Sequence, residues 1–352
     1  MKVLSENQLK RICIAILEAV GTPRDETEIV ADSLVKANLR GIDSHGVFRL
    51  IAYVNRVKYK TIIPGAPFTI TRETPSTALV SGGFGFGQVI GVRAMKLAVE
   101  KARKTGIGAI SVFNTNHFGM ATYYAMIALQ NGMIGVVTCN TSPSVLPWGG
   151  RVPMLGTNPI CVAIPSGQDI PIILDMATSA VARGKIESAA KEGKPIPEGW
   201  AVDENGEPTT DPIAALKGAL LPFGGPKGYG LSFIVDIVSG ALAGAACGKD
   251  VCSLYPEEQK CNAGHFFLAI NVDSFIPIRD FKAAVDKVVL ELRSSPPAPG
   301  YTSVLIPGEI EHRTEQKRLL EGIPLSKETW QRLKKLCEKF KVELIPFIDS
   351  EV

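Results

Sequence analysis

Near Pro75 the sequence changes period, and that change limits the architectures open to it. From there β-branched runs alternate with helical spacing: Thr77 to Ser81, a helix near Val89 to Lys104, Ile107 to Phe113, a helix near Met120 to Gln130, and Ile134 to Cys139. Such alternation builds a sheet with helices laid against it. The next runs, Pro159 to Ile164 and Ile172 to Leu174, follow without an intervening helix, which predicts a mixed rather than a purely parallel sheet. An apolar helix from Gly230, a strand from His265 to Val272 and an amphipathic helix near Arg279 to Arg293 complete this α/β part.

The flanks read differently. Ser5 with Gln8 is a capping-box pattern, and Leu9, Ile12, Ile16, Leu17 and Val20 follow at helical spacing until Gly21. A second helix is predicted from Arg24 to Arg40, and a third apolar stripe, Phe48, Ile51, Val54 and Val57, precedes the stop Ile63-Pro64-Gly65. Beyond the hinge Ser294-Ser295-Pro296-Pro297-Ala298-Pro299-Gly300 a last amphipathic helix runs near Lys327 to Phe340. With 352 residues, more than most single cores hold, the expectation is a helical domain from 1–75 plus 295–352 and an α/β domain from 76–294.

Composition narrows the function classes. Apolar residues at 45% and charged residues at 21% exclude a mainly disordered or fibrous chain. Thirty-eight Lys and Arg against thirty-five Asp and Glu give +3, with no basic stripe for a nucleic-acid partner. The N-terminal residues carry no signal-peptide pattern, and the most apolar stretch, Tyr229 to Cys247, holds Asp236 and is broken by Gly240 and Gly244, so a cytoplasmic protein without membrane contact is expected. Seven cysteines without a CxxC pair fit reduced thiols.

Four places could carry chemistry. His117, in Asn114-Thr115-Asn116-His117-Phe118-Gly119, stands where a strand hands over to a helix, a usual ligand position in open sheets; the alternative is a cluster capping the helix. His45 and Arg49, four residues apart, could together hold a carboxylate, or Asp43 or Ser44 could be an ordinary N-cap. Lys227, in Gly224-Gly225-Pro226-Lys227-Gly228-Tyr229-Gly230, suits an anion at a helix start, or marks a plain glycine turn. Asp175 closes a strand before an expected helix, as an N-cap, a histidine orienter or a ribose ligand. Gly83-Phe84-Gly85-Phe86-Gly87 departs from GxGxxG, and Cys247, Cys252, Cys261 and His265 have no standard zinc spacing, so no metal is expected; His265 and His312 default to structural roles.

Ser44-His45-Gly46 with Arg49, Asn116-His117-Phe118-Gly119, Gly156-Thr157-Asn158-Pro159, Asp175-Met176-Ala177-Thr178 and Pro226-Lys227-Gly228-Tyr229-Gly230 occur in an order that resembles the malate/L-lactate dehydrogenase family, which includes sulfolactate and ureidoglycolate dehydrogenases. Pro197-Glu198-Gly199-Trp200 and Thr209-Thr210-Asp211-Pro212 extend the resemblance over nearly the whole chain. It implies a mixed-sheet, non-Rossmann NAD- or NADP-binding fold and hydride transfer with a small 2-hydroxy acid of malate or sulfolactate/lactate type. His117 would be the proton acceptor, with His45, oriented by Asp175, as the other candidate for that role. Substrate would meet Ser44, His45, Arg49, Asn116, Thr157 and Asn158. The nucleotide would meet His117, Thr141, Asp175, Met176, Ala177, Lys227, Pro307, Gly308 and Glu309, and the active form would be a homodimer. The alternatives are a reductase of ureidoglycolate or a cyclic imino acid, and a non-catalytic nucleotide-binding sensor.

Overall fold

The computed structural model describes residues 2–344; the expected helical segment therefore extends, at 345–352, outside the described residues. The strands are β1 (Lys2–Leu4), β2 (Thr69–Glu73), β3 (Thr77–Ser81), β4 (Ile107–Thr115), β5 (Met133–Cys139), β6 (Ile160–Ile164), β7 (Ile172–Met176), β8 (Ala201–Val202), β9 (Pro208–Thr209), β10 (Ala219–Leu220), β11 (Ala263–Asn271) and β12 (Ile323–Leu325). The helices are α1 (Glu6–Ala19), α2 (Arg24–Leu39), α3 (Leu50–Lys58), α4 (Gly87–Thr105), α5 (Thr122–Gln130), α6 (Arg183–Glu192), α7 (Pro212–Lys217), α8 (Pro226–Ser239), α9 (Ile278–Ser294), α10 (Glu309–Glu321) and α11 (Lys327–Phe340).

The main sheet has the order β2-β3-β4-β11-β5-β6-β7, with β3 and β4 parallel across the α4 crossover and every other pair antiparallel, so the expected mixed sheet forms. β4 and β5 do not pair with each other. β11, much later in the chain, lies between them, its Phe267 and Ala269 buried with Ile110, Val112 and Val137 against α4 and α5. Because β11 is antiparallel to both, β4 and β5 point the same way, and β6 and β7 then run down and up again. The ends of β3, β4, β5 and β7 and the start of β6 consequently lie along one edge of the sheet.

A second core joins the two ends of the chain. Ser5 accepts from the Gln8 amide while the Gln8 side chain accepts from Ser5 N–H, so the capping box starts α1. Leu9, Ile12, Ile16 and Leu17 pack with Val30 and Leu34 of α2, Tyr53 and Val54 of α3, and Leu333 and Leu336 of α11. β1 pairs antiparallel with β12, Leu4 opposite Ile323. Phe86 and Val89 at the start of α4 belong to this same core, which is how the helical layer reaches the sheet edge. A three-stranded sheet, β10-β8-β9, sits with α6 and α7 over a small cluster around Val145, Ile186 and Ala201.

One local expectation fails. No helix follows Asp175 directly; a bent loop leads from the end of β7 to α6 at Arg183. Thr178 explains this, because its amide and its hydroxyl both donate to Thr157 O, at 2.8 and 2.9 Å, in place of a helical turn. Among the described residues no helix is long and apolar enough to cross a membrane; α8 is the apolar stretch near Asp236.

Candidate active site

His117 leaves the end of β4, and the preceding Asn116 fixes the loop from inside. Asn116 is fully buried; its Nδ2 donates to Phe84 O and Gly85 O at 3.0 Å each, and its Oδ1 accepts from Arg56 Nη2 at 3.3 Å. The asparagines therefore do not cap α5. That task falls to Asp175 at the end of β7, whose Oδ2 accepts from Thr122 N at 2.9 Å and Thr122 Oγ1 at 2.6 Å. Asp175 caps a helix, though one that precedes it by some fifty residues.

His45 ends a short 3-10 turn at Asp43–His45, and Arg49 ends the next at Val47–Arg49. Neither Asp43 nor Ser44 caps; Asp43 instead pairs with Arg318 of α10 at 2.8 Å. The His45 ring stacks on His117, centroids 5.7 Å apart and planes 16° off parallel. His45 Nδ1 meets Ser44 Oγ at 3.0 Å and His117 Nδ1 meets Tyr53 Oη at 2.7 Å, so on both rings Nε2 is left for a ligand. Arg49 Nε donates to Ser44 O at 2.7 Å, which fixes the guanidinium beside the rings and leaves both Nη groups unpaired. Burial lowers the His45 pKa to about 4, with the Arg49 charge adding to it. Burial, then the charges of His45, Arg49, His265 and Arg56, push His117 well below the usual histidine range. Both rings are neutral at neutral pH and able to accept a proton.

Along the same edge, Thr141 follows β5 and Thr157 and Asn158 precede β6. Thr141 Oγ1 lies 3.3 Å from Thr157 Oγ1. Asn158 is fully buried, accepting from Thr141 N at 2.9 Å and donating to Ser232 O of α8 at 3.0 Å, so its side chain holds the loops together. Met176 and Ala177 continue from Asp175, half-buried. Lys227, in the first turn of α8, is exposed and makes no side-chain bond.

A cleft of about 420 Å³ opens beside Asp175, lined by Arg40, Ile42, Thr122, Ile173, Pro307 and Gly308 among others. Ile173 N donates to Pro307 O at 3.0 Å, and Gly308, at φ +88°, turns into α10 where a Cβ would come within 3.0 Å of Ile173 O. Burial raises the Asp175 pKa, opposed by the two bonds from Thr122 and by Arg40. Its Oδ1 is left as a free acceptor. Glu309 turns away: its carboxylate is 2% exposed, accepts from Ile306 N, and pairs with Arg293 and Arg313 at 3.1 and 2.5 Å.

The remaining cysteine and histidine motifs border this site without forming a centre of their own. Cys261 Sγ donates to Ser253 O at 3.3 Å and accepts from Arg56, while the buried His265 ring stacks on Phe118 at 4.3 Å. Among the described residues no three His, Cys, Asp or Glu side chains converge as metal ligands. His312 lies in the first turn of α10.

Three site residues escaped the sequence reading: Tyr53, Arg56 and Gln88. Arg49, Tyr53 and Arg56 fall at i, i+4 and i+7, a polar row at helical spacing beside the apolar stripe Phe48, Ile51, Val54 and Val57. That row was the available signal. Gly87 was another: a Cβ there would lie 2.3 Å from Asn116 O and 2.5 Å from His117 O, so the discounted glycine loop is the close neighbour of the His117 loop.

Residues 4–334 match the family described as malate/L-lactate dehydrogenase. The L-sulfolactate dehydrogenase of Methanocaldococcus jannaschii is 41% identical over 347 residues, covering 99% of this chain and all of that one. The malate dehydrogenase of Pyrococcus abyssi is 43% identical over 97% of this chain and 95% of its own. The solved sulfolactate dehydrogenase from Methanocaldococcus jannaschii superposes with a TM-score of 0.93, covering 98% of this chain and 99% of the other.

Proposed function

The chain belongs to the malate/L-lactate dehydrogenase family, and on that premise we propose that it exchanges a hydride between NAD or NADP and a small 2-hydroxy acid of malate or sulfolactate type, with His117 as proton acceptor. The observation that carries the site reading is the stacked pair of neutral histidines, each held at Nδ1, beside an Arg49 with two unpaired nitrogens. The Asp175 cleft supports a nucleotide: it falls in the size range of small-molecule sites, offers apolar walls, and has in its lining a carboxylate with one oxygen left to accept from a hydroxyl. Asp175, Met176, Ala177, Thr141, Pro307 and Gly308 would hold it, with Lys227 free for a phosphate. The chemistry such a bound nicotinamide supplies is hydride transfer.

The rest falls to the protein. Arg49 presents a planar pair of donors to the acid's C1 carboxylate, which orients the molecule with its C2 hydroxyl toward the histidines. His117 Nε2 takes the hydroxyl proton during oxidation and returns it during reduction, with the imidazolium charge held in a site already crowded by Arg49 and Arg56. Burial, with those charges added, lowers the ring's hold on the proton, which suits it to protonating an oxo acid. The same family reading gives a cytoplasmic homodimer, supported by the exposed Ile234, Ile237 and Leu242 on and just after α8 and tested by sedimentation.

The test is nicotinamide absorbance with NADH and with NADPH against oxaloacetate, sulfopyruvate, pyruvate and a cyclic imine, for wild type and His117→Gln. Oxaloacetate or sulfopyruvate should be reduced fastest, and His117→Gln should lose about 10²–10⁴-fold in kcat with cofactor affinity unchanged. Preference for the imine would replace the substrate reading; near-normal turnover in His117→Gln would move the proton to His45.

A further inference from the structure

The Tyr53 hydroxyl lies 2.7 Å from His117 Nδ1, and Tyr53 is fully buried in a core with Leu50, Val54 and Phe86 among others. Its ring meets Phe86 edge-on at 6.5 Å, which fixes where the hydroxyl points. Beyond it lies Gln88, from the first turn of α4, also fully buried. The Gln88 amide sits alongside the Tyr53 hydroxyl, short of full hydrogen-bond geometry, and neither its oxygen nor its nitrogen has a partner. Buried amides are rarely left so, and this one adjoins the residue that contacts the proton-accepting histidine.

The 2.7 Å contact allows two tautomers. If Tyr53 donates to Nδ1, the hydrogen of neutral His117 sits on Nε2, and that nitrogen cannot receive a proton from substrate. If Nδ1–H donates to Tyr53, Nε2 carries the lone pair, and the phenol's own hydrogen needs a buried acceptor. Gln88 Oε1 is a buried acceptor without a donor, and since both ends of this amide are unpartnered, the amide can turn its oxygen to the phenol at the loss of no other bond. Burial also keeps the phenol protonated, so it retains a hydrogen to give.

We propose that Tyr53 is a positioning residue: it accepts the Nδ1–H of His117, donates to Gln88 Oε1, and so holds the imidazole in the tautomer whose Nε2 meets the substrate hydroxyl. This rests on the reading of His117 as proton acceptor. A phenol in this place orients the ring without adding a negative charge, so the imidazolium remains an acid strong enough for the reductive direction.

The experiment combines kinetics with ¹⁵N NMR of histidine-labelled enzyme, the His117 signals being those lost in His117→Gln. Wild type should show His117 with hydrogen on Nδ1 and none on Nε2. Tyr53→Phe should give mixed tautomers and a kcat lower by about 10–100-fold, with KM for the oxo acid and NADH affinity within about threefold. Gln88→Leu should shift the tautomer in the same direction by less. A wild-type ring with hydrogen on Nε2, or a Tyr53→Phe enzyme with unchanged tautomer and kcat, overturns the proposal. Full activity in His117→Gln would instead remove the reading beneath it. Should Tyr53→Phe not fold, the wild-type tautomer and Gln88→Leu still decide.

Discussion

Gly87→Ala tests whether the loop carrying His117 is held where it is by close packing. Gly87 opens α4, and the Cβ of an alanine would stand 2.3 Å from Asn116 O and 2.5 Å from His117 O. Carbon and carbonyl oxygen ordinarily keep about 3.3 Å apart, so one segment must retreat by about 1 Å. α4 is anchored along its length to the sheet through Ala94, Met95 and Ala98, whereas the loop is tied by single side chains, so the loop is the part that moves. A displacement of about 1 Å at a reacting group costs on the order of 10²-fold in rate, and the added strain about 1–3 kcal/mol in stability. Steady-state kinetics with thermal unfolding of the same preparation measures both. Gly108→Ala is the control, because a Cβ there would come within 2.0 Å of Ala98 O between the same two elements, but near the start of β4, roughly 23 Å along the strand from its end. It should lower the Tm while leaving kcat of the folded enzyme near wild type. A Gly87→Ala enzyme that folds and keeps kcat within about threefold would refute the argument.

Other outcomes follow from the same geometry. Arg56→Met removes bonds to Leu254 O, Gln259 O, Cys261 Sγ and Asn116 Oδ1 and should destabilise the protein by about 3–5 kcal/mol, read by denaturant unfolding, with earlier proteolysis in the segment around Leu254 to Cys261. Arg49→Lys cannot reproduce the planar fork and should raise KM for the oxo acid about tenfold or more, with a smaller effect on kcat. His265, buried against Phe118, has its pKa lowered from 6.5 to about 3 by burial. The unfolded chain thus binds a proton there below pH 6.5 that the folded chain refuses, so stability is full above 6.5 and declines toward 3. His265→Phe should flatten that decline, seen as Tm against pH; an unchanged acid limb would count against the assignment.

The legible part of the fold is the local part. Caps and period place α1, α4, α11 and strands β3 to β7 to within a residue or two, because a capping box and an apolar stripe act within one turn or one strand. The exposed edge strand β2 and the two-residue β8, β9 and β10 went unread, since a strand with no buried face shows no alternation and two residues are too few to show a period. The site was legible as motifs: Ser44-His45-Gly46, His117, Asp175 and Lys227 each drew attention by composition, and their order suggested the family. Their meeting was not legible, because it depends on direction. His117, Thr141, Thr157 and Asp175 share one edge only because β11, well over a hundred residues after β4, inserts between β4 and β5 and makes them run alike. The supporting residues were hidden for the related reason that Tyr53 and Arg56 show their roles only once α3 is covered by α4 and by the loop before β11. Periodicity and resemblance thus state which elements form and which residues have chemistry to offer, since both are properties of neighbours in sequence. Pairing across the sheet, the partner of Asp175, and the tautomer available to His117 are set by long-range packing, which only the folded chain brings about.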